Sequence, residues 1–119
     1  MSYTIDLIDP ATSSVFESDV PHQLRGDPYV VGGNQQARLN ITYNYLRHFL
    51  STIDSAKGIR AIYGMTGAAS IPILSAAIAR LKDDSSEDYY EPTEGNARLA
   101  LIQMRTLAQA CPEGTWNGD

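Results

Sequence analysis

The stretch Leu39-Asn40-Ile41-Thr42-Tyr43-Asn44-Tyr45 decides the fold, because it predicts a strand that runs directly into a helix. Alternation gives the strand two unlike faces, an apolar one and a polar one: Leu39, Ile41 and Tyr43 against Asn40, Thr42 and Asn44. After the strand the apolar residues follow a helical period: Leu46, Phe49, Leu50 and Ile53. A strand with amide and hydroxyl groups on one face suits a binding surface, but it carries no catalytic motif.

Four segments in the first part of the chain have the composition of strands: Tyr3–Ile8, Ser14–Val20, Pro28–Val31 and Ala37–Tyr43. Residues that favour turns and loops separate them. Asp9–Thr12 places Asp and Pro at the first two positions of a tight turn, His22–Asp27 is expected to be a loop, and Gly32–Asn34 tolerates positive φ. The N-terminal third is therefore predicted to form an antiparallel four-strand meander.

The rest of the chain is predicted to form about three helices. Asn44 is expected to cap the first, which should end near Ile53 or Ala56 with Gly58 as its stop. Thr66 or Ser70 should cap the second, and a start close to Ser70 is favoured because Pro72 fits only near the first turn of a helix. Its apolar stripe is Ile71, Leu74, Ile78 and Leu81. The segment Gly58–Gly64 stays open between a short helix and an extended piece.

Thr93 is expected to cap the last helix, whose apolar residues recur at i, i+4, i+7, i+11 and i+14: Ala97, Leu101, Met104, Ala108 and Cys111. Helices that follow an antiparallel sheet pack most simply on one of its faces. The sequence therefore predicts an α+β fold in a single domain, residues 1–119, with an N-terminal four-strand meander against about three C-terminal helices.

Composition narrows the classes of function. A chain of 119 residues with 43% hydrophobic residues can build one packed core. Its net charge of −5 argues against general nucleic-acid binding, which needs a basic surface. One cysteine, Cys111, excludes an internal disulfide and is interpreted as a core residue. The chain shows no secretory signal and no apolar run of about 20 residues, so a soluble protein of the cytosol without a membrane partner is expected.

Seven positions are candidates for binding a ligand: Asn40, Thr42, Asn44, His48, Arg60, Tyr63 and Thr66. Asn and Thr side chains can bond to a ribose or a base edge, Tyr can stack on a base, and Arg can pair with phosphate. The loop Gly64–Ser70 precedes a helix and can present amides to an anion, although it lacks the lysine of a P-loop. The alternative is that its small residues serve close packing.

No catalytic set and no metal site are predicted, and no cofactor is expected. The two histidines are isolated in the sequence, which favours structural or surface roles. The acidic run at residues 83–94 lacks the glycine that an EF-hand loop needs at its sixth position, where Asp88 stands. It is interpreted as a solvated acidic loop that contains Tyr89 and Tyr90.

The last helix carries one anomaly. Arg98, Ile102 and Arg105 share a face, so an isoleucine stands between two arginines. A lone exposed apolar residue is common. The alternative is a contact between subunits, with Trp116 and the two loop tyrosines nearby, and on this basis a homo-oligomer is predicted.

Four motifs resemble a family of small uncharacterised proteins encoded by phages and prophages: Leu39–Tyr45, Gly58–Gly64 with Ser70–Pro72, Glu91–Ala97, and Gly114–Asp119. The resemblance covers nearly the whole chain and implies a phage origin and an accessory gene, with no known activity. Small phage accessory proteins often antagonise host defence, either by sequestering a nucleotide signal or by capping a defence protein. That step is an analogy of gene context.

Three hypotheses about function follow. The leading one is a non-catalytic phage accessory protein that binds and neutralises a host component, with a nucleotide-derived signal favoured as the ligand. The second is an acidic inhibitor that binds a host defence protein through the acidic loop. The third is an enzyme acting on a nucleotide signal, for which no set of acid, base and nucleophile is visible. The ligand, the host system and the size of the oligomer stay open.

Overall fold

The computed structural model describes residues 1–17, 29–30 and 36–119. Its strands are β1 (Ser2–Asp9), β2 (Ser14–Val15), β3 (Tyr29–Val30), β4 (Arg38–Thr42) and β5 (Thr115–Gly118). Its α-helices are α1 (Leu46–Thr52), α2 (Gly67–Arg80) and α3 (Glu94–Ala110), and two 3-10 helices span Tyr43–Tyr45 and Gly58–Ile62. Antiparallel strands that lie mostly in the N-terminal part and helices that lie mostly after them confirm the α+β prediction.

The first strand organises the sheet. β1 pairs with β4, where Tyr3 faces Ile41, and with β5, where Leu7 faces Trp116. The strand order is β2-β1-β4-β3, with β5 also paired to β1, so neighbours in the sheet do not follow chain order as they would in a simple meander. The eight residues of β1 serve three partners in overlapping segments, since β4 pairs with residues 2–6, β5 with residues 5–8 and β2 with residues 8–9.

The pairing of β5 was not predicted from the sequence. Its four residues contain Gly118 and Asn117, which favour turns over strands. Trp116 decides the position of the strand, because its side chain is 1% exposed and its Nε1 donates to Ser70 Oγ at 2.7 Å. Trp116 therefore belongs to the core of the chain and presents almost no surface to a second subunit.

The core lies between the inward face of the sheet and the helices. Tyr3, Ile5 and Leu7 of β1 are buried, as the alternation predicted. All five residues of the predicted α3 stripe are buried: Ala97, Leu101, Met104, Ala108 and Cys111. Burial also raises the pKa of the Cys111 thiol, which fits its interpretation as a core residue.

The start of α2 agrees with Thr66, one of the two predicted caps, and not with the favoured start. The helix begins at Gly67 instead of near Ser70, and the Thr66 hydroxyl caps it by accepting from the Ala69 amide at 3.1 Å. Pro72 consequently lies inside the helix. The carbonyl that it leaves without an intrahelical donor belongs to Ala68, and both residues are exposed, so water can replace the missing bond.

The first helix also begins differently. The cap is Thr42, not Asn44, because the Thr42 hydroxyl accepts from the Asn44 amide at 3.2 Å and starts the 3-10 helix that leads into α1. α1 ends at Thr52, one residue before the predicted range. Gly58, with φ of 58°, begins a 3-10 helix, which resolves the open alternative for that segment in favour of a short helix.

The prediction for α3 is confirmed, since the Thr93 hydroxyl accepts from the Asn96 amide at 3.0 Å. The second and third predicted strands are described only as Ser14–Val15 and Tyr29–Val30. The predicted loop His22–Asp27 and the turn Gly32–Asn34 lie outside the described residues. Among the helices that are described, none has the length and apolar character to cross a membrane.

Candidate functional site

The polar face at the end of β4 holds a second part of the chain, which we call the acidic loop (residues 83–91). The Tyr89 hydroxyl accepts from the Thr42 amide at 2.8 Å and donates to the Asn40 carbonyl at 3.2 Å. The Tyr45 hydroxyl donates to the Tyr89 carbonyl. The tyrosine therefore ties the loop to the strand through main-chain groups.

Two further predicted site residues act in the same way. Asn44 Nδ2 donates to the Tyr90 carbonyl at 2.8 Å, and His48 Nε2 donates to the Pro92 carbonyl at 2.8 Å. His48 is 8% exposed, so its ring is part of the packed body of the protein. These contacts anchor the acidic loop, and a ligand could use the same atoms only after breaking them.

Asn40 makes its contacts across the sheet. Its Nδ2 donates to Ser2 Oγ at 2.8 Å and to Thr4 Oγ1 at 3.4 Å. Both partners lie on β1, and Thr4 is the residue directly opposite in the register. The side-chain amide thus links two strands of the sheet, which gives it a structural task that the sequence pattern did not reveal.

The underside of the acidic loop is fixed by one buried side chain. Asn96, fully buried at the start of α3, accepts from the Ser86 amide at 2.9 Å and donates to the carbonyls of Asp88 at 2.9 Å and Glu91 at 3.0 Å. Gly95 allows this close approach, since a Cβ there would lie 2.2 Å from the Ser85 nitrogen. The backbone of the loop is therefore held in one conformation.

The outer side of the acidic loop carries charge and one aromatic ring. Its exposed acidic residues are Asp83, Asp84, Glu87, Asp88 and Glu91. Tyr90 is 59% exposed. Leu46 is 39% exposed and follows two residues after Asn44, whose side chain binds the Tyr90 carbonyl. No group of three or more metal-binding side chains occurs in residues 1–17, 29–30 and 36–119. A tyrosine surrounded by carboxylates is suited to protein contacts.

A second group of predicted site residues comes together elsewhere; we call it the Tyr-Arg cluster (Tyr3, Tyr43, Arg60, Tyr63 and Asp119). The guanidinium carbon of Arg60 lies 5.0 Å from the ring centroid of Tyr3 and 5.7 Å from that of Tyr43. The two rings meet edge to face with centroids 4.6 Å apart. Cation–aromatic contacts of this length hold the exposed arginine in place.

Asp119 supplies the acceptors of the cluster. Its main-chain oxygen accepts from Arg60 Nε at 2.9 Å, and its Oδ1 accepts from the Thr4 amide at 2.9 Å. Among the residues that the structure describes, Arg60 Nη2 makes only a long contact of 3.4 Å, with the Tyr43 hydroxyl. The guanidinium therefore retains donor capacity beyond these contacts.

The Tyr63 hydroxyl is buried and has no hydrogen-bond partner among residues 1–17, 29–30 and 36–119. Gly118 lies over it, because a Cβ on this glycine would be 2.7 Å from both the Tyr63 Cζ and its hydroxyl oxygen. Burial, followed by the nearby Asp119 carboxylate, raises the pKa of Tyr63 far above its usual value. The hydroxyl consequently keeps its proton and is available as a donor.

The Gly64–Ser70 loop has no amide to offer an anion among its first helical residues. The Gly67 amide donates to the Gly114 carbonyl at 2.7 Å, and the Ala68 amide donates to the Pro112 carbonyl at 2.9 Å. The Thr66 hydroxyl takes the next amide as the helix cap. A Cβ on Gly67 would lie 2.9 Å from the Cys111 carbonyl oxygen, so the close-packing alternative explains this loop.

The structure weakens the reason for which an oligomer contact was predicted on the last helix. Ile102 is half-buried and packs against the hydrophobic core, so it is not isolated on a polar face. Arg105 Nη1 donates to Ser75 Oγ at 3.3 Å, and Arg98 is also half-buried. A homo-oligomer that uses Arg98, Ile102 and Arg105 stays a prediction, and light scattering on the Ile102→Glu variant remains its test.

Sequence reasoning named Arg60 and Tyr63 but missed Tyr3 and Asp119 as their neighbours. The four residues come from β1, the segment after α1 and the end of β5, and no sequence spacing connects them. Only an expectation that the last segment returns to β1 would have joined them. The buried Trp116 was the available hint, because such a residue draws its segment toward the core.

Comparison with known proteins adds no relative. No protein-family model matches the chain, no curated protein is detectably similar to it in sequence, and no solved structure matches it.

Proposed function

We propose that the protein is a non-catalytic accessory protein of a phage or prophage that binds and neutralises a host protein in the host cytosol. The acidic loop is its recognition surface, and a basic patch on the host protein is the partner. The observation that carries the proposal is the combination of a backbone held by buried side chains with an outer side of carboxylates around Tyr90. The phage origin is supported by the resemblance of the sequence motifs.

A held backbone favours binding because it limits the entropy lost on association. Asn96, Tyr89 and His48 already fix the loop and its flank in the free protein. The cost of ordering an interface loop is a large part of what weakens protein association, and a preformed loop avoids it. The acidic loop therefore can act as a rigid surface.

The side chains on the loop fit a basic partner. Five exposed carboxylates within nine residues give a local negative field, and the net charge of −5 has the same sign. Such a field steers a positively charged protein and sets specificity. Tyr90 adds the aromatic contact that protein interfaces favour at their centre.

The experiment compares two charge reversals at opposite ends of α3. Glu91→Lys changes the acidic loop, whereas Glu113→Lys makes the same change in charge beyond the other end of the helix, about 25 Å away at 1.5 Å per residue. Both side chains are exposed, so neither change should disturb the fold. Wild type and both variants serve as baits for host proteins. Each captured protein is then purified and titrated with each bait.

We expect a specific partner to lose about tenfold in affinity with Glu91→Lys, or about 1.4 kcal/mol, and little with Glu113→Lys. Its binding to the wild type should also weaken as salt rises. If every captured protein binds the two variants equally well, the acidic loop is not the recognition surface.

A nucleotide-derived signal is the second candidate for the bound component, and the Tyr-Arg cluster favours it. Arg60 can pair with phosphate, and the half-buried ring of Tyr43 beside it can stack on a base. A native mass spectrum of freshly purified protein tests this candidate. A retained mass in the range of a nucleotide supports it, and a bare polypeptide from phage-infected host cells counts against it.

A further inference from the structure

Residues Gly118–Asp119 cover a set of hydrogen-bond donors at the end of β5. Arg60 Nε and the Thr4 amide each bond to Asp119, at 2.9 Å in both cases. The Tyr63 hydroxyl lies under Gly118 and has no partner in the described part of the chain. Three donors therefore lie against one dipeptide, which satisfies only two of them.

We propose that Arg60, the Tyr63 hydroxyl and the Thr4 amide form a binding site for a phosphate group, and that Gly118–Asp119 occupies this site in the free protein. The inference rests on the second candidate of the proposed function and is independent of the acidic loop. It names the part of a nucleotide-like ligand that the Tyr-Arg cluster would hold.

The unsatisfied hydroxyl is the main reason. Leaving a buried donor without a partner costs about 1–3 kcal/mol, so such groups are rare in native proteins unless a ligand or another task accounts for them. Nothing in the packing requires this hydroxyl, since a phenylalanine would fill the same space. The Tyr63 hydroxyl is thus a donor for which the packing provides no use, and a ligand with an acceptor would supply one.

The chemistry of the three donors fits phosphate better than carboxylate. Asp119 accepts from two of the donors, through its main-chain oxygen and its Oδ1, and it leaves the Tyr63 hydroxyl unbonded. A phosphate group presents three oxygens and can take all three donors. The rings of Tyr3 and Tyr43 already hold the guanidinium, which lowers the entropy that binding would cost.

Electrostatics sets the expected affinity. The charged groups that act on Tyr63 are Asp119 and Arg60, beside the neutral phenols of Tyr3 and Tyr43. The Asp119 carboxylate repels an anion and competes for the Thr4 amide. Phosphate should therefore bind the wild type weakly, and removal of this carboxylate should strengthen binding.

The test titrates the protein with inorganic phosphate at constant ionic strength, with chloride as the control salt. Calorimetry or the shifts of backbone amide signals measure the binding. Asp119→Ala should bind phosphate about tenfold more tightly than the wild type. Adding Tyr63→Phe or Arg60→Gln to Asp119→Ala should each remove about that gain. The Thr4 amide shift should follow the titration.

The Tyr63→Phe variant also separates binding from folding, because loss of an unpartnered hydroxyl should leave the melting temperature unchanged or raised. The inference is overturned if Asp119→Ala shows no saturable phosphate binding, or if Tyr63→Phe leaves its affinity unchanged. Glu91→Lys on the acidic loop should not alter phosphate affinity, so failure of the phosphate site leaves the protein-binding proposal standing, and the reverse also holds. Adenosine monophosphate as a second probe shows whether a nucleoside adds affinity to the phosphate.

Discussion

Two regions of the molecule contain similar residues: the contacts that attach the acidic loop to the rest of the chain, and the Tyr-Arg cluster. They differ in how many polar groups they leave without a hydrogen bond. Tyr89 uses its hydroxyl twice, as acceptor from Thr42 and as donor to Asn40. Tyr63 uses its hydroxyl not at all, although the oxygen is buried. A pattern of polar residues therefore does not mark a binding site; unused donor or acceptor capacity in the folded chain does.

The same difference extends to the other residues of each region. Asn44 and His48, predicted as ligand contacts, hold carbonyls at and after the acidic loop. Arg60, also predicted as a ligand contact, depends on a single residue, Asp119, for its short hydrogen bond. Stability should therefore be sensitive to changes at the loop attachment, and binding should be sensitive to changes in the cluster.

The largest effect is expected for Asn96→Ala. The change removes one acceptor and two donors of a fully buried amide and leaves three main-chain groups of the acidic loop without partners. Water can reach some of them, so we expect a loss of about 3 kcal/mol in the free energy of unfolding. Urea denaturation measures it. A loss below about 1 kcal/mol would mean that the loop is held mainly by other contacts.

A matched pair of tyrosine variants tests the comparison directly. Tyr89→Phe leaves the Thr42 amide and the Asn40 carbonyl without their partner and should cost about 2 kcal/mol. Tyr63→Phe removes the same atom but breaks no hydrogen bond, so stability should stay the same or rise. Chemical denaturation of both variants gives the answer. Equal losses would contradict the distinction between the two regions.

The helix cap provides a smaller and sharper test at the loop attachment. Thr42→Ala should cost about 1 kcal/mol, because the hydroxyl caps the 3-10 helix by accepting from the Asn44 amide. Asn44→Ala should cost about 0.5 kcal/mol, since its side chain is exposed and makes one bond to the Tyr90 carbonyl. Thermal melts of the two variants decide. The reverse order would restore Asn44 as the cap.

The smallest effect concerns alkaline pH. Because the pKa of Tyr63 is raised in the folded state above its ordinary value of 10.0, the unfolded chain releases this proton first as the pH rises. The unfolded state then binds fewer protons, so stability should be constant below that value and should fall above it. Urea titrations of wild type and Tyr63→Phe at increasing pH measure the difference. If Tyr63→Phe loses stability with pH as steeply as the wild type, Tyr63 is not responsible. The pKa of Tyr3 is also raised by burial, so some loss of stability at high pH should remain in the variant.

The site was predictable only in part. Residue type was the reason for selecting Asn40, Thr42, Asn44 and His48. A residue type, however, does not tell whether the polar group will form a hydrogen bond within the chain. Asn44 and His48 bond to the carbonyls of Tyr90 and Pro92, more than 40 positions further along the chain, whereas Asn40 bonds to Ser2 and Thr4, more than 30 positions before it: these partners are distant in sequence. Arg60 and Tyr63 were selected on the same grounds and kept unused capacity. Nothing in the local sequence distinguishes the two outcomes.

The sequence by itself determined the features that depend on neighbours within a turn or a strand. The buried alternation of β1, the Thr93 cap and the apolar stripe of α3 follow from periods of two and of about 3.6 residues, and all are present. Tertiary structure alone decided that β5 returns to β1 and brings Asp119 to Thr4 and Arg60. Local patterns arise from contacts between nearby residues, whereas a contact between positions 4 and 119 forms only when the whole core closes.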